Sequence, residues 1–194
     1  VTSGAANAQS ATPLGQFEDW GAYVAESGGG KVCYALSQPK SSVPAAANRD
    51  PVYLFVTSRP GQGVKNEISV IVGYPYKPDS RASVEVGSDT FELFTKDDGA
   101  WVENAAEEAN LVAAMRRGAT MVIKGTSARG TDTVDNYSLS GISAALDRIA
   151  HQRKSARSRS PTASASPYWR SATQHPSRRP VSPHPALTAA HPSH

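Results

Sequence analysis

Between residues 17 and 140 the apolar residues come in short runs, rich in Val, Ile, Thr and aromatic side chains and bounded by Gly, Pro, Asp and Ser. Runs of this kind are too short for helices and match half-buried or buried strands. They fall at Phe17–Val24, Lys31–Leu36, Val52–Thr57, Glu67–Val72, Ala82–Val86, Thr90–Thr95, Ala100–Glu103, Met121–Ile123 and Tyr137–Leu139. Gly87-Ser88-Asp89 marks one hairpin and Arg59-Pro60-Gly61-Gln62-Gly63 another turn, because Pro presets φ and Gly supplies the reverse bend. Gly28-Gly29-Gly30-Lys31 lacks the Gly-Lys-Ser/Thr ending of a phosphate loop and reads as a further turn. Only two segments change period. Leu111, Val112 and Met115 follow Glu107 and Glu108 and precede Arg116, Arg117 and Gly118, the charge order of a helix with a stop. Ile142, Leu146 and Ile149 repeat as one face of a closing helix. The expected fold is mainly β, an antiparallel two-sheet sandwich with one or two short helices. Its core is expected to hold Trp20, Tyr53, Phe55, Phe91, Phe94 and Trp101.

Charge divides the chain. Residues 1–150 carry 13 basic and 17 acidic residues, whereas residues 151–194 carry 7 basic and no acidic ones. All five His and seven of the 14 Pro also lie after residue 150. A body without His excludes Ser-His or Cys-His catalysis within it. One Cys excludes an internal disulfide and a Cys-based zinc site. No apolar run is long enough for a membrane-spanning helix. The expected organisation is a disordered segment over 1–16, a folded body over 17–151, and a disordered tail rich in Arg, Ser, Pro, Ala and His over 152–194. Such a tail could bind polyanions. Its composition is also what a GC-rich coding sequence yields in a shifted frame. The start without Met, and Ala6-Asn7-Ala8, fit a chain from which a leader has been removed.

Candidate chemistry in the body is sparse. Asp132 and Asp135 lie in Gly130-Thr131-Asp132-Thr133-Val134-Asp135-Asn136, which reads as a solvated hairpin loop rather than a calcium loop. Arg129 is expected either to reach an anion or to pair with one of those carboxylates. Tyr74-Pro75-Tyr76-Lys77 puts two aromatics and a cation at a strand end. No cofactor or metal is expected, and no specific nucleic acid. A monomer or weak oligomer is.

Read in order, several pieces resemble the invasion-associated locus B family of bacterial periplasmic proteins. They are Phe17-x-x-Trp20, Val32-Cys33-Tyr34, Tyr53-Leu54-x-Val56-Thr57-x-Arg59-Pro60 and Gly73-Tyr74-Pro75-Tyr76-Lys77. Asn66-Glu67-x-Ser69-Val70, Phe91-x-Leu93-Phe94, Ala100-Trp101, Leu111-Val112-x-Ala114-Met115-Arg116-x-Gly118, Ser127-x-Arg129-Gly130-Thr131, Asp135-x-Tyr137-Ser138-Leu139-x-Gly141 and Ala144-Ala145-Leu146 complete the set. The resemblance implies an immunoglobulin-like sandwich, a secretory signal peptide and a periplasmic or envelope location. Its founding members are linked to host-cell invasion. Members commonly carry a Cys shortly after the closing helix, where this chain has Gln152-Arg153-Lys154. Cys33 is then a candidate disulfide half without its partner, or simply a buried small hydrophobe.

The function expected from these features is that of a non-enzymatic envelope protein acting by contact with a protein or surface. A His-independent envelope enzyme or enzyme modulator, and polyanion binding through the tail, are the alternatives. The expected contact surface gathers Arg59, Tyr74, Tyr76, Lys77 and Arg129 at one end of the sandwich. There it would meet an acidic group on a peptide or glycan.

Overall fold

The computed structural model describes residues 11–27, 30–45 and 49–158. Gly28, Gly29 and the tail beyond Ser158 therefore lie outside the described residues. The fold is mainly β and antiparallel, as expected. The strands are β1 (Thr12–Phe17), β2 (Trp20–Ser27), β3 (Gly30–Ser37), β4 (Ser41–Val43), β5 (Tyr53–Arg59) and β6 (Val64–Ile71). They continue with β7 (Arg81–Val86), β8 (Asp89–Lys96), β9 (Gly99–Val102), β10 (Thr120–Thr126) and β11 (Asp132–Ser138). Their hydrogen bonds run unbroken through one sheet in the order β1-β2-β3-β5-β6-β9-β8-β7-β10-β11-β4. The sheet folds over on itself. The Trp20 indole N–H at the start of β2 donates to the Ser138 carbonyl at the end of β11 (3.0 Å), and the Asp19 N–H donates to the Ser140 carbonyl (3.3 Å). The inward side chains of both halves form one core.

Alternation decides which residues enter that core. Ala22, Cys33, Ala35, Leu54, Val56, Ile68, Val70, Leu93 and Ala100 point inward and are buried. The small residues on β2 and β3 leave room for α2 (Ile142–Ser158), which lays Ile142, Ala145, Leu146 and Ile149 into the core. Of the six aromatics expected in the core, only Trp20 is buried. Tyr53, Phe55, Phe91 and Trp101 are half-buried and Phe94 is 39 % exposed. For Tyr53, Phe55, Phe94 and Trp101 the reason is parity: these rings occupy the strand positions between the inward ones, so the pleat turns them outward. Phe91 shares the inward face with Leu93 and packs against the edge of the core.

α1 (Ala105–Arg117) begins two residues before Glu107, because Asn104 caps it. The Asn104 Oδ1 accepts from the N–H groups of Ala106 (3.1 Å) and Glu107 (3.0 Å). Two expected boundaries move. Thr12–Gln16, assigned to a disordered segment, belong to β1, which pairs with β2 and rests Leu14 and Phe17 against the core. α2 runs past residue 152 to Ser158, since Gln152 to Arg157 contains no Pro or Gly and is composed mostly of good helix formers.

Candidate functional site

Two connections meet beside β11. The first links β6 to β7 through Gly73-Tyr74-Pro75-Tyr76. Gly73 has φ +72, and a side chain there would run into the Asp50 main chain, whose N–H donates to the Gly73 carbonyl (2.9 Å). The second is the β10–β11 turn. It closes with Ser127 N–H to Thr131 carbonyl (2.9 Å) and Gly130 N–H to Ser127 carbonyl (2.8 Å). The two are tied together by Ala128 N–H to Pro75 carbonyl (2.8 Å) and Lys77 N–H to Thr126 carbonyl (2.9 Å). A pocket of about 470 Å³ lies between them, walled by Pro44, Arg49, Tyr74, Pro75, Arg129 and Thr133.

Its inner wall rests on a buried ion pair. Asp135, expected in a solvated loop, sits on β11 with Thr133 and Tyr137 on the same inward face. A carboxylate in that position needs a partner, and Arg49 supplies it. Both guanidinium Nη atoms donate to the carboxylate, Nη1 to Oδ2 at 3.0 Å and Nη2 to Oδ1, and Ser42 Oγ adds a third bond at 2.6 Å. The side chains of Arg49 and Asp135 are 7 % and 1 % exposed. The hydrogen bonds to Asp135 hold the Arg49 guanidinium above its usual range, against the opposing effect of burial. Arg49 also lies 5.8 Å from the Tyr74 ring centre, a cation–π distance.

Tyr74 is half-buried, with its hydroxyl 2.5 Å from Thr133 Oγ1. Thr133 Oγ1 in turn donates to the Gly125 carbonyl (3.3 Å), which makes the Tyr74 hydroxyl the donor in the first bond. Burial pushes the Tyr74 phenol up. Tyr76 packs edge-on to Tyr74, with ring centres 5.5 Å apart, and is itself buried over Gly125. Burial raises the Tyr76 and Tyr137 phenols strongly.

The five residues expected to form one surface are thus only partly united. Tyr74 and Arg129 line the same pocket. Tyr76 lies beneath it and offers no contact area. Lys77 is exposed beside the pocket but does not line it. Arg59 is elsewhere: it closes the far end of β5, six residues from Tyr53 and so about 20 Å along the strand. Its fork is held by Glu67 at 2.9 and 2.7 Å. The expected pairing of Arg129 with Asp132 or Asp135 does not form. Asp132 accepts from Thr126 Oγ1 (2.7 Å), Asp135 is held by Arg49, and Arg129 is exposed with no ion pair to any described residue. Arg49 escaped the sequence reading. The signal was in the alternation of Thr133, Asp135 and Tyr137, which puts an acid on the apolar side of a strand and so demands a cation from elsewhere. Cys33 is buried and unbonded, with its thiol pushed up by burial.

The family model of the invasion associated locus B protein matches residues 20–150. The chain belongs to the invasion associated locus B family. No curated protein matches the sequence. Among solved structures, the crystal structure of invasion associated protein B from Bartonella henselae is similar, with a TM-score of 0.53 and 17 % identity. That likeness covers 74 % of this chain and 99 % of the other, and it shows a shared fold. The matched region contains every strand from β2 to β11, and with them the pocket and the Arg49–Asp135 pair. Among the described residues no helix is long and apolar enough to cross a membrane.

Proposed function

We propose that this invasion associated locus B family member is a non-enzymatic protein of the bacterial envelope. On this reading it works by contact, and the pocket between the β6–β7 connection and the β10–β11 turn takes an acidic group of its partner. The observation that carries the reading is the charge state of the pocket. Arg49 is neutralised by Asp135, which leaves the exposed Arg129 guanidinium as the one lining charge without a counter-ion among the described residues. Tyr74, Pro44 and Pro75 surround it with apolar and aromatic area. An Arg fork beside such walls suits a carboxylate on a partner protein, with Tyr adding contact area at little entropic cost. The backbone around the pocket is hydrogen-bonded in place, so little ordering is needed on binding.

The test is capture from envelope extract with the full chain as bait, comparing wild type with Arg129→Glu and Arg59→Glu. A partner retained by wild type and Arg59→Glu but lost by Arg129→Glu supports the reading. Equal retention by all three overturns it.

A further inference from the structure

The aromatic residues that parity turns outward are not scattered. Tyr23 stacks on Tyr34 across β2 and β3 with ring centres 5.3 Å apart, and Tyr34 meets Phe55 edge-on at 5.9 Å. Phe55 meets Tyr53 at 6.0 Å. Tyr23 and Tyr53, the two ends of this chain of rings, line a second groove of about 470 Å³ at the opposite margin of β5 from Arg59. Tyr23 does not stand off the sheet. It folds back along its own strand over Gly21, where an added Cβ would sit 2.6 Å from Cε2 and 3.0 Å from Cζ of the ring.

The rest of that groove is mainly polar, with Leu36 and Pro39 as its other apolar lining and Glu18, Asp19 and Lys40 as its charges. Gln16, Glu18 and Gln38 are exposed at its rim, and Lys40 Nζ binds Asp19 Oδ1 at 2.7 Å. The Lys40 pair holds the Asp19 carboxyl below its usual range. Side chains tie down the main chain of the Glu18–Asp19 turn that borders the groove. Ser37 Oγ donates to the Asp19 carbonyl (2.8 Å), and Gln16 Nε2 donates to the Glu18 carbonyl (2.8 Å).

We propose that this groove is a binding site for a neutral oligosaccharide, with Tyr23 as the stacking ring and Gln38, Glu18 and the Lys40–Asp19 pair as hydroxyl partners. The electron-rich face of an aromatic ring attracts the weakly positive C–H face of a pyranose. Amides and carboxylates at the edge match the donor and acceptor pairs of vicinal hydroxyls. Lys40 is already bound to Asp19 and Glu18 adds a second carboxylate, so the groove repels the acidic group suited to the Arg129 pocket, whereas an uncharged ligand meets no such repulsion. A protein partner or second copy would need about 800 Å² of surface per side with apolar anchors. Here the aromatics of the groove are all half-buried, with no large apolar side chain protruding from its lining.

The experiment titrates the full chain with uncharged oligosaccharides, a gluco-tetrasaccharide and an N-acetylglucosamine tetrasaccharide. Calorimetry is done at low and high salt, and amide NMR shifts locate the site. The expected result is saturable, salt-insensitive binding of at least one probe, with shifts at Gly21, Tyr23 and Gln38. Tyr23→Ala should weaken it about tenfold, the scale of one lost ring contact of about 1.4 kcal/mol. Gln38→Ala, at an exposed position that cannot disturb folding, should weaken it severalfold, and Tyr23→Phe should preserve it. Absence of binding to both probes overturns the proposal. So does binding unaffected by Tyr23→Ala and Gln38→Ala, binding lost in Arg129→Ala, or self-association through this face abolished by Tyr23→Ala.

Discussion

Replacing Arg49 with Met leaves the Asp135 carboxylate, 1 % exposed, facing the core with only Ser42 Oγ as hydrogen-bond partner. Breaking a buried pair by removing one partner costs about 3–5 kcal/mol, because the remaining charge keeps its desolvation penalty and loses its attraction. Against a typical total of about 5–15 kcal/mol this is a large fraction. For a domain of this size it lowers the melting temperature by about 10 °C. Denaturation followed by far-ultraviolet circular dichroism measures it. The double variant Arg49→Met with Asp135→Leu should regain more than half of the lost stability, because it removes both charges together. A loss within about 0.5 kcal/mol, the range of ordinary surface substitutions, would show that Asp135 does not depend on Arg49. So would a double variant less stable than Arg49→Met alone.

Three further outcomes are expected. Gly73→Ala should destabilise by about 1–3 kcal/mol, since φ +72 disfavours a side chain and the Asp50 main chain occupies the space; unchanged urea denaturation would count against the packing described. α2, which carries Arg153, packs against β3, the strand of Cys33. Arg153→Cys should therefore raise the melting temperature in oxidising buffer only, by the equivalent of about 2–4 kcal/mol; equal melting in reducing buffer would disprove it. Burial raises the Glu108 carboxyl above its ordinary range, although its Oε1 accepts from the Ile68 N–H (3.2 Å). A folded pKa above the unfolded one means that stability falls as the pH rises through the carboxylate range. Glu108→Gln keeps the acceptor, so it should be more stable than wild type at neutral pH. The difference should vanish in acid, and a constant difference across pH would contradict it.

Much of the fold was legible because strands, turns and capped helices leave local marks. The α1 boundaries follow from acidic residues before, basic residues after and Gly118 as a stop. Most strand runs from β2 onward fall within a few residues of the expected ones; the exceptions are β4, for which no run is expected, and β11, most of which is expected as a loop. What failed was non-local. β1 was invisible because a strand without a large apolar face is defined by its pairing with β2, and pairing leaves no mark on Thr12–Gln16. Size argues for the aromatic rings as core, but at Tyr53, Phe55, Phe94 and Trp101 the place in the alternation decides against it. At the pocket, Tyr74 and Arg129 were both identified, since a turn rich in Gly beside an aromatic or a cation is a local signal. Arg49 was not, because it comes from a connection with no pattern of its own and reaches Asp135 across 86 positions of sequence. Arg59 opens a polar, Gly-punctuated turn like those of Tyr74 and Arg129, and only the register of β5 with β6 shows it paired with Glu67 at the other end.

The claim that the Arg129 pocket is the contact site is tested most directly by crosslinking in place. A photo-reactive amino acid is put at position 129 or at position 59 of the full chain, and intact envelopes are irradiated. A discrete crosslinked partner is expected from position 129, competed by free acidic peptide, and none from position 59. Crosslinking from position 59 with none from position 129 would contradict it.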